Sequence, residues 1–135
     1  MSPLDVALAS AQKNVPECVA VGFVDMQTGM LLGVKTVDSH PQEVLDLVAA
    51  ATGDLFQGTN VTTIESLFRR SRGVRDDGHH YFQEIIVLSD NLIHVFQRCK
   101  RREDLVMVCV CRASANLGMV LARSRGALGP IEAAA

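Results

Sequence analysis

The second half of the chain is dominated by three apolar runs separated by two short polar breaks. The runs cover residues 81–88, 92–98 and 105–111, and they predict three strands joined by hairpin loops. The third run contains no polar residue. Because successive side chains of a strand point to opposite faces, a wholly apolar strand has to be covered on both of them. The pattern therefore predicts that residues 105–111 lie centrally in a sheet, between two layers.

The first part of the chain predicts a helix followed by a hairpin. Ser2 and Pro3 are typical of a helix start, and apolar residues then recur at helical spacing until Pro16 ends the run. Residues 18–24 and 30–36 are two further apolar runs. The turn between them contains Gly29, which can take the positive φ of a bulged hairpin.

Two helix-start signals occupy the middle of the chain. Ser39 and Thr62 are each followed three residues later by Gln or Glu, the spacing of a capping box. They predict helices that end near Gly58 and Gly73, and the pattern leaves open whether these are two helices or one with a kink. A last helix is expected to start at Ser114 and to end at a Gly126 cap.

These elements predict one domain over residues 1–127, followed by a flexible tail at 128–135. The order α-β-β-α-β-β-β-α gives an α/β (α+β) fold with a single five-stranded antiparallel sheet. The all-apolar fifth strand is expected beside the first strand, with helices covering both faces.

Three stretches resemble the roadblock family, the dynein light-chain roadblock-like proteins, in its bacterial type. Val24-Asp25 followed by Thr28-Gly29 is similar to the family's first hairpin, and residues 105–111 are similar to its apolar last strand. Residues 114–118, Ser-Ala-Asn-Leu-Gly, resemble the entry to its final helix and are the most specific match. The resemblance implies a profilin-like roadblock fold. Two departures are the break at residues 58–60 and an apparent insertion at 62–72.

The resemblance also implies a homodimer in which the edge strand at 81–88 pairs with its twin and the second helices lie together. An exposed apolar edge of this kind invites pairing on physical grounds as well. The implied dimer contacts are Val44, Leu47, Val48, Ala51, Leu55, Tyr81, Gln83, Ile85 and Val87. Bacterial members of the family commonly act on small Ras-like GTPases, whereas others are assembly scaffolds.

Composition excludes several other classes. The net charge of −2 gives no whole-molecule attraction to nucleic acid or to anionic membrane. No run approaches the roughly 18 apolar residues of a membrane span. Two of the four cysteines lie on the most apolar strand, which favours reduced thiols and a cytoplasmic location. The chain lacks the Gly-x-x-x-x-Gly-Lys loop that cradles nucleotide phosphates.

Candidate metal and acid–base sites are weaker than their structural alternatives. If the last hairpin loop is four residues long, Cys99 faces Asp104 and His94 faces Cys109, which would begin a thiolate site. A structural zinc site needs four ligands, and this set is incomplete. The cysteines are therefore better interpreted as small buried apolar residues, and no metal or cofactor is expected. His79 and His80 lie beside two aspartates in a stretch that is typical of a solvated loop.

Four arginines lie close together at the end of the second predicted helix of the middle region. They are Arg69, Arg70, Arg72 and Arg75. Cations favour a helix C-terminus, but four in seven residues exceed what a helix end needs, so we also interpret them as a steering patch for an acidic partner. The sequence thus predicts a non-enzymatic dimeric interaction module that binds a small GTPase or a related signalling protein. A pure assembly scaffold and a small-molecule sensor remain the alternatives.

Overall fold

A computed structural model describes residues 2–37, 42–73, 75 and 79–135, with the side chains of 42–47 excepted. Its elements are α1 (Pro3–Asn14), β1 (Cys18–Asp25), β2 (Met30–Thr36), α2 (Gln42–Gln57), α3 (Thr59–Ser71), β3 (Glu84–Leu88), β4 (Leu92–Arg98), β5 (Leu105–Arg112) and α4 (Leu117–Ala134). None of the helices in the described part of the chain is both long enough and apolar enough to cross a bilayer.

The predicted helix start at Ser2 is confirmed as a capping box. The Asp5 amide donates to Ser2 Oγ at 3.1 Å, and the Ser2 amide donates to the Asp5 carboxylate at 3.2 Å. These bonds satisfy backbone donors that have no partner inside the first turn of a helix. Pro3 follows as the first helical residue, where its missing N–H costs nothing.

The strands form one antiparallel sheet in the order β2-β1-β5-β4-β3. The central position of β5 and its pairing with β1 are both confirmed. Of the seven residues at 105–111, only Val110 is not fully buried. β2 and β3 are the two edges of the sheet.

Helices cover both faces of the sheet, as the apolar β5 requires. On one face α1 and α4 bury a cluster that includes Leu8, Phe23, Met107 and Ile131. On the other face α2 contributes Ala49 and Phe56 to a smaller cluster around Val24, Phe96, Val106 and Val108. The fold is therefore three layers deep at its centre.

The middle of the chain forms two helices that separate at Gly58. A Cβ atom at this position would lie 2.7 Å from the carbonyl oxygen of Asp54, so a larger residue would force the backbone to shift. Gly58 also begins α3 as its N-cap without a side-chain hydrogen bond. The direction of α3 is thus set at a position where glycine is needed.

The last helix differs from the prediction at both ends. Asn116, not Ser114, caps it, because Asn116 Oδ1 accepts from the Met119 amide at 3.0 Å. The expected end at Gly126 and the loose tail at 128–135 are wrong, since α4 continues to Ala134. Leu128 and Ile131 are buried on the sheet, and this burial sustains the helix past two glycines and a proline.

Candidate functional site

The β3 edge of the sheet is open and apolar. β3 pairs with β4 from Glu84 opposite Gln97 to Leu88 opposite Ile93. Within the described ranges no strand pairs with its other side. Ile86 and Val87 are each 39% exposed and Leu88 is 66% exposed. An apolar edge with free backbone donors and acceptors is a template for another strand.

A salt bridge between Arg125 of α4 and Glu84 fixes the start of β3. The Arg125 guanidinium donates to both oxygens of Glu84, at 3.0 Å from Nε and 2.6 Å from Nη2. Gln97 Nε2 donates to the same carboxylate at 2.8 Å. The bond from Arg125, followed by that from Gln97, outweighs burial and holds the pKa of Glu84 below its ordinary value. The edge strand is therefore positioned by the last helix as well as by β4.

The structure separates the predicted dimer residues of the edge into two groups. Ile85 and Val87 lie on β3, with Ile85 half-buried against the smaller core cluster. Tyr81 and Gln83 precede the strand, which begins at Glu84 and is shorter than predicted. The ring of Tyr81 packs edge-to-face on Phe68 of α3, with 6.3 Å between centroids. Helix packing therefore occupies part of the run that the apolar pattern assigned to the strand.

The predicted stripe on α2 is partly exposed. Val48 and Ala51 face solvent, whereas Leu55 is half-buried against the smaller cluster. Val44 and Leu47 were also predicted for this contact, and their side chains lie outside the described residues. Both residues contribute exposed apolar surface to α2, and Val48 also lines the cleft described below.

A buried arginine that the sequence did not single out holds these parts together. Arg98 is 2% exposed, and its guanidinium donates to the carbonyl oxygens of Phe82 (2.9 Å), Glu103 (2.7 Å) and Phe56 (3.2 Å). It also lies 5.0 Å from the centre of the Phe56 ring. Burial lowers its pKa, and nearby Glu65 and Glu103 oppose that shift. Arg98 thus ties the end of α2 to two loops beside the edge strand.

A second buried charge, Glu65, fixes α3 against the chain that leads into β3. Glu65 is 2% exposed; its carboxylate contacts His80 Nδ1 at 3.1 Å and accepts a short hydrogen bond from the Tyr81 amide. Burial pushes the pKa of Glu65 upward, but the bonds from His80 and Tyr81 outweigh it, and the pKa stays below its ordinary value. α3 therefore docks through a polar contact.

The four predicted partner-binding arginines do not share one surface. Arg69 is buried, and its guanidinium carbon lies 4.8 Å from the centre of the Tyr81 ring. Arg70, Arg72 and Arg75 are exposed. Arg69 therefore belongs to the packing of α3, and the exposed patch has three arginines.

The Cys–His juxtaposition that a four-residue hairpin loop would give does not occur. His94 pairs with Val110, and Val95 pairs with Cys109, so the register differs by one residue from the four-residue loop that would oppose His94 and Cys109. A shift of one residue moves a side chain to the opposite face of the sheet. Cys109 lies in the larger core cluster, beneath α1 and α4. In the described part of the chain, no group of three or more His, Cys, Asp or Glu side chains could hold a metal ion.

His79 and His80 contact different residues. Its Nδ1 is 2.5 Å from a carboxylate oxygen of Glu103, and the side chain is exposed. The two neighbouring aspartates of the predicted loop, Asp76 and Asp77, are outside the described residues.

The sheet face next to Val48 of α2 carries a cleft of about 680 Å³. Aliphatic residues of four strands line it, including Ala20, Val34, Leu92 and Val110. Its polar lining, chiefly Asp90, Asn91, Arg112 and Ser114, lies at the strand ends. No local pattern in the chain indicates this cleft, because its walls come from strands that are distant in sequence.

The single five-stranded antiparallel sheet with helices on both faces is consistent with the fold of roadblock/LC7 domains, and the fold predicted from the resemblance is confirmed. No protein-family model matches the sequence, and a search of curated proteins gives no match.

Solved structures give the more specific likenesses. The gliding protein MglB of Thermus thermophilus matches with a TM-score of 0.72 and 18% identity over 98% of this chain and 88% of that chain. Myxococcus xanthus MglB matches with a TM-score of 0.69 and 16% identity over 95% and 90%. A roadblock/LC7 domain from Streptomyces avermitilis matches with a TM-score of 0.66 and 14% identity over 96% and 94%. At these identities the likeness establishes the fold.

Proposed function

We propose that this chain is a non-enzymatic interaction module that dimerises through its β3 edge and regulates a small Ras-like GTPase or a related signalling protein. The open, apolar β3 edge is the observation that carries the proposal. The GTPase partner comes from the resemblance to bacterial roadblock proteins and from the shared fold, which is an analogy at the level of the fold.

The dimer is supported by what lies around the edge. Pairing of β3 with its twin would satisfy the outward backbone groups of both strands and join two sheets into one. Val87 of β3 and the exposed Val48 and Ala51 of α2 add apolar surface that such a contact can bury. A two-fold symmetric contact closes after two copies, which is the commonest form of oligomer.

Sedimentation analysis at micromolar concentration tests the dimer. The unmodified protein should have twice the 14.6 kDa mass of the chain. Val87→Lys should give monomers, because each copy would then place a charged lysine in an apolar contact. Leu32→Lys is the matched control, since Leu32 is similarly exposed, at 42%, on the opposite edge of the sheet. A monomeric unmodified protein, or an equal response of the two variants, contradicts the proposal.

The regulatory role is tested by GTP hydrolysis. A Ras-like GTPase encoded beside this gene should bind the protein and change its rate of hydrolysis or of nucleotide exchange. Binding without any change of rate would favour the assembly scaffold instead. No binding and no change of rate would remove the regulator from consideration.

The cleft next to Val48 of α2 supports a second candidate, a sensor for an aliphatic small molecule. Binding sites of about 300–1,000 Å³ with apolar walls and a few polar groups commonly hold such ligands, and the cleft has this size and lining. Native mass spectrometry of the protein purified from its own host should then show a bound small molecule. The sensor function would be rejected if the measured mass is that of the protein without a ligand and medium-chain fatty acids do not raise its thermal stability.

A further inference from the structure

The outer face of α3 has the opposite character to that of an ordinary surface helix. Its exposed side chains include Ile64 (41%), Leu67 (52%) and Phe68 (52%), whereas Glu65 and Arg69 on the inner face are only 2% and 4% exposed. A surface helix normally buries its apolar stripe and exposes its charges. In α3 the apolar stripe Ile64–Leu67–Phe68 is the side that faces out.

The inner contacts keep the helix in this orientation. Glu65 is held by His80 and the Tyr81 amide, and Arg69 lies over the Tyr81 ring. A rotation of α3 that buried Leu67 and Phe68 would break these contacts and would expose a carboxylate that is already paired. The outward position of the stripe is therefore a stable feature of the fold.

Cations lie at the end of the same helix. Arg70, Arg72 and Arg75 are exposed, and none of them forms a salt bridge with an acidic side chain in the part of the chain that the structure describes. With the two aspartates that follow Arg75, residues 70–77 carry a net charge of +1. Phe68, Ser71, Arg72 and Tyr81 line a shallow notch between the stripe and these arginines.

We propose that the outer face of α3 is a docking surface for an anionic lipid bilayer. Leucine, isoleucine and phenylalanine on one face of a helix, with arginines beside them, is the composition of helices that lie in the membrane interface. The rings and aliphatic chains would enter the boundary between headgroups and acyl chains, and the guanidiniums would contact lipid phosphates and carboxylates. A convex helix surface also fits a bilayer without needing a groove.

The size of the surface favours reversible docking. Three half-exposed side chains fall well short of the roughly 800 Å² per partner that stable protein interfaces bury. Each arginine near an anionic leaflet adds about fivefold to the affinity. The inference goes beyond the proposed function and does not depend on it.

Flotation with lipid vesicles tests this inference. The protein should bind vesicles of phosphatidylcholine with about 30% phosphatidylserine and should not bind vesicles of phosphatidylcholine alone. Binding should be lost in about 1 M salt, where the screening length falls to about 3 Å. Removing the charges with Arg70→Gln, Arg72→Gln and Arg75→Gln together should weaken binding by about 100-fold.

Matched variants separate the docking face from general effects of charge and hydrophobicity. Lys100→Gln, Arg101→Gln and Arg102→Gln together remove three exposed charges from a hairpin loop and should leave binding nearly unchanged. Leu67→Ser with Phe68→Ser should reduce binding by at least about tenfold. Val6→Ser with Met119→Ser, two exposed apolar residues on α1 and α4, should not reduce it.

Three results would overturn the inference. They are no binding to anionic vesicles, equal binding to neutral vesicles, and equal losses in the α3 and control variants. A fourth result would do so as well: if the stripe contacts a second copy instead, Leu67→Ser with Phe68→Ser would change the mass in solution and leave vesicle binding as it was. That outcome rejects the lipid surface, and the Val87→Lys experiment still decides the β3 dimer separately.

Discussion

Arg98 provides the sharpest test of how the edge region is held in place. Its guanidinium donates to three carbonyl oxygens, at 2.7 to 3.2 Å, and stacks on the ring of Phe56. Arg98→Met keeps much of the aliphatic volume but removes all three donors. A hydrogen bond from a charged group contributes about 1.5–3 kcal/mol, and the variant also escapes the cost of burying the charge. We expect the free energy of unfolding to fall by about 3 kcal/mol. This is less than the sum of the three hydrogen bonds, because the avoided cost of burying the charge offsets part of it.

Thermal and urea unfolding measure this loss. For a chain of this length, about 3 kcal/mol corresponds to a fall in Tm of about 10 °C. The protein has no tryptophan, so circular dichroism is the suitable signal. Protein concentration must be equal in all samples, because self-association would make the measured stability depend on it.

Two further variants make the interpretation specific. Arg98→Lys keeps the charge but cannot reach three carbonyl oxygens with one ammonium group, so its stability should be intermediate. Arg101→Met changes an exposed arginine on the adjacent loop and should alter stability by less than about 0.5 kcal/mol. If Arg98→Met unfolds within about 0.5 kcal/mol of the unmodified protein, the guanidinium does not hold the segments together.

Four other substitutions give equally direct outcomes in the same unfolding assay. The folded-state pKa of Glu65 is lowered, so its contribution to stability is present above the unfolded value of about 4.3 and is lost as the pH falls through the folded value. The stability gap between the unmodified protein and Glu65→Gln should therefore shrink in acid, and a gap that widens in acid contradicts this sign. Gly58→Ala should destabilise by about 1–3 kcal/mol, because its Cβ meets the Asp54 carbonyl oxygen, whereas Gly53→Ala, with open space around its Cβ, should stabilise by up to about 1 kcal/mol. Ile131→Ala should lower the free energy of unfolding by about 2–5 kcal/mol, because Ile131 is buried. An unchanged stability would instead favour the flexible tail predicted for residues 128–135.

The sequence patterns were most informative where burial alone decides the structure. The apolar run at 105–111 correctly placed β5 in the centre of the sheet, because few arrangements cover both faces of a strand. The helix start at Ser2 and Pro3 was equally readable, since it depends on residues that are adjacent in the sequence. In contrast, Gly126 looked like a helix end because the packing of Leu128 and Ile131 against distant elements is not visible in local spacing.

The interaction surfaces were harder to predict, for two physical reasons. The apolar pattern alone could not show that Tyr81 packs on α3 instead of extending β3, because an edge strand and a covered segment share the same composition. Arg98 and Glu65 look like ordinary surface charges in sequence, and only the positions of the segments around them make them buried. Polar residues inside otherwise apolar or helical runs, such as Arg98 in β4, are the signal that could have marked them.

The Glu84–Arg125 pair has a practical consequence for detecting partners. It links the first residue of the edge strand to the middle of the helix that finishes the chain. A fluorophore or spin label on the exposed Ala122, one helical turn from Arg125, would sit outside the edge itself. Such a label could report rearrangement of the strand when another molecule attaches there, without blocking the attachment.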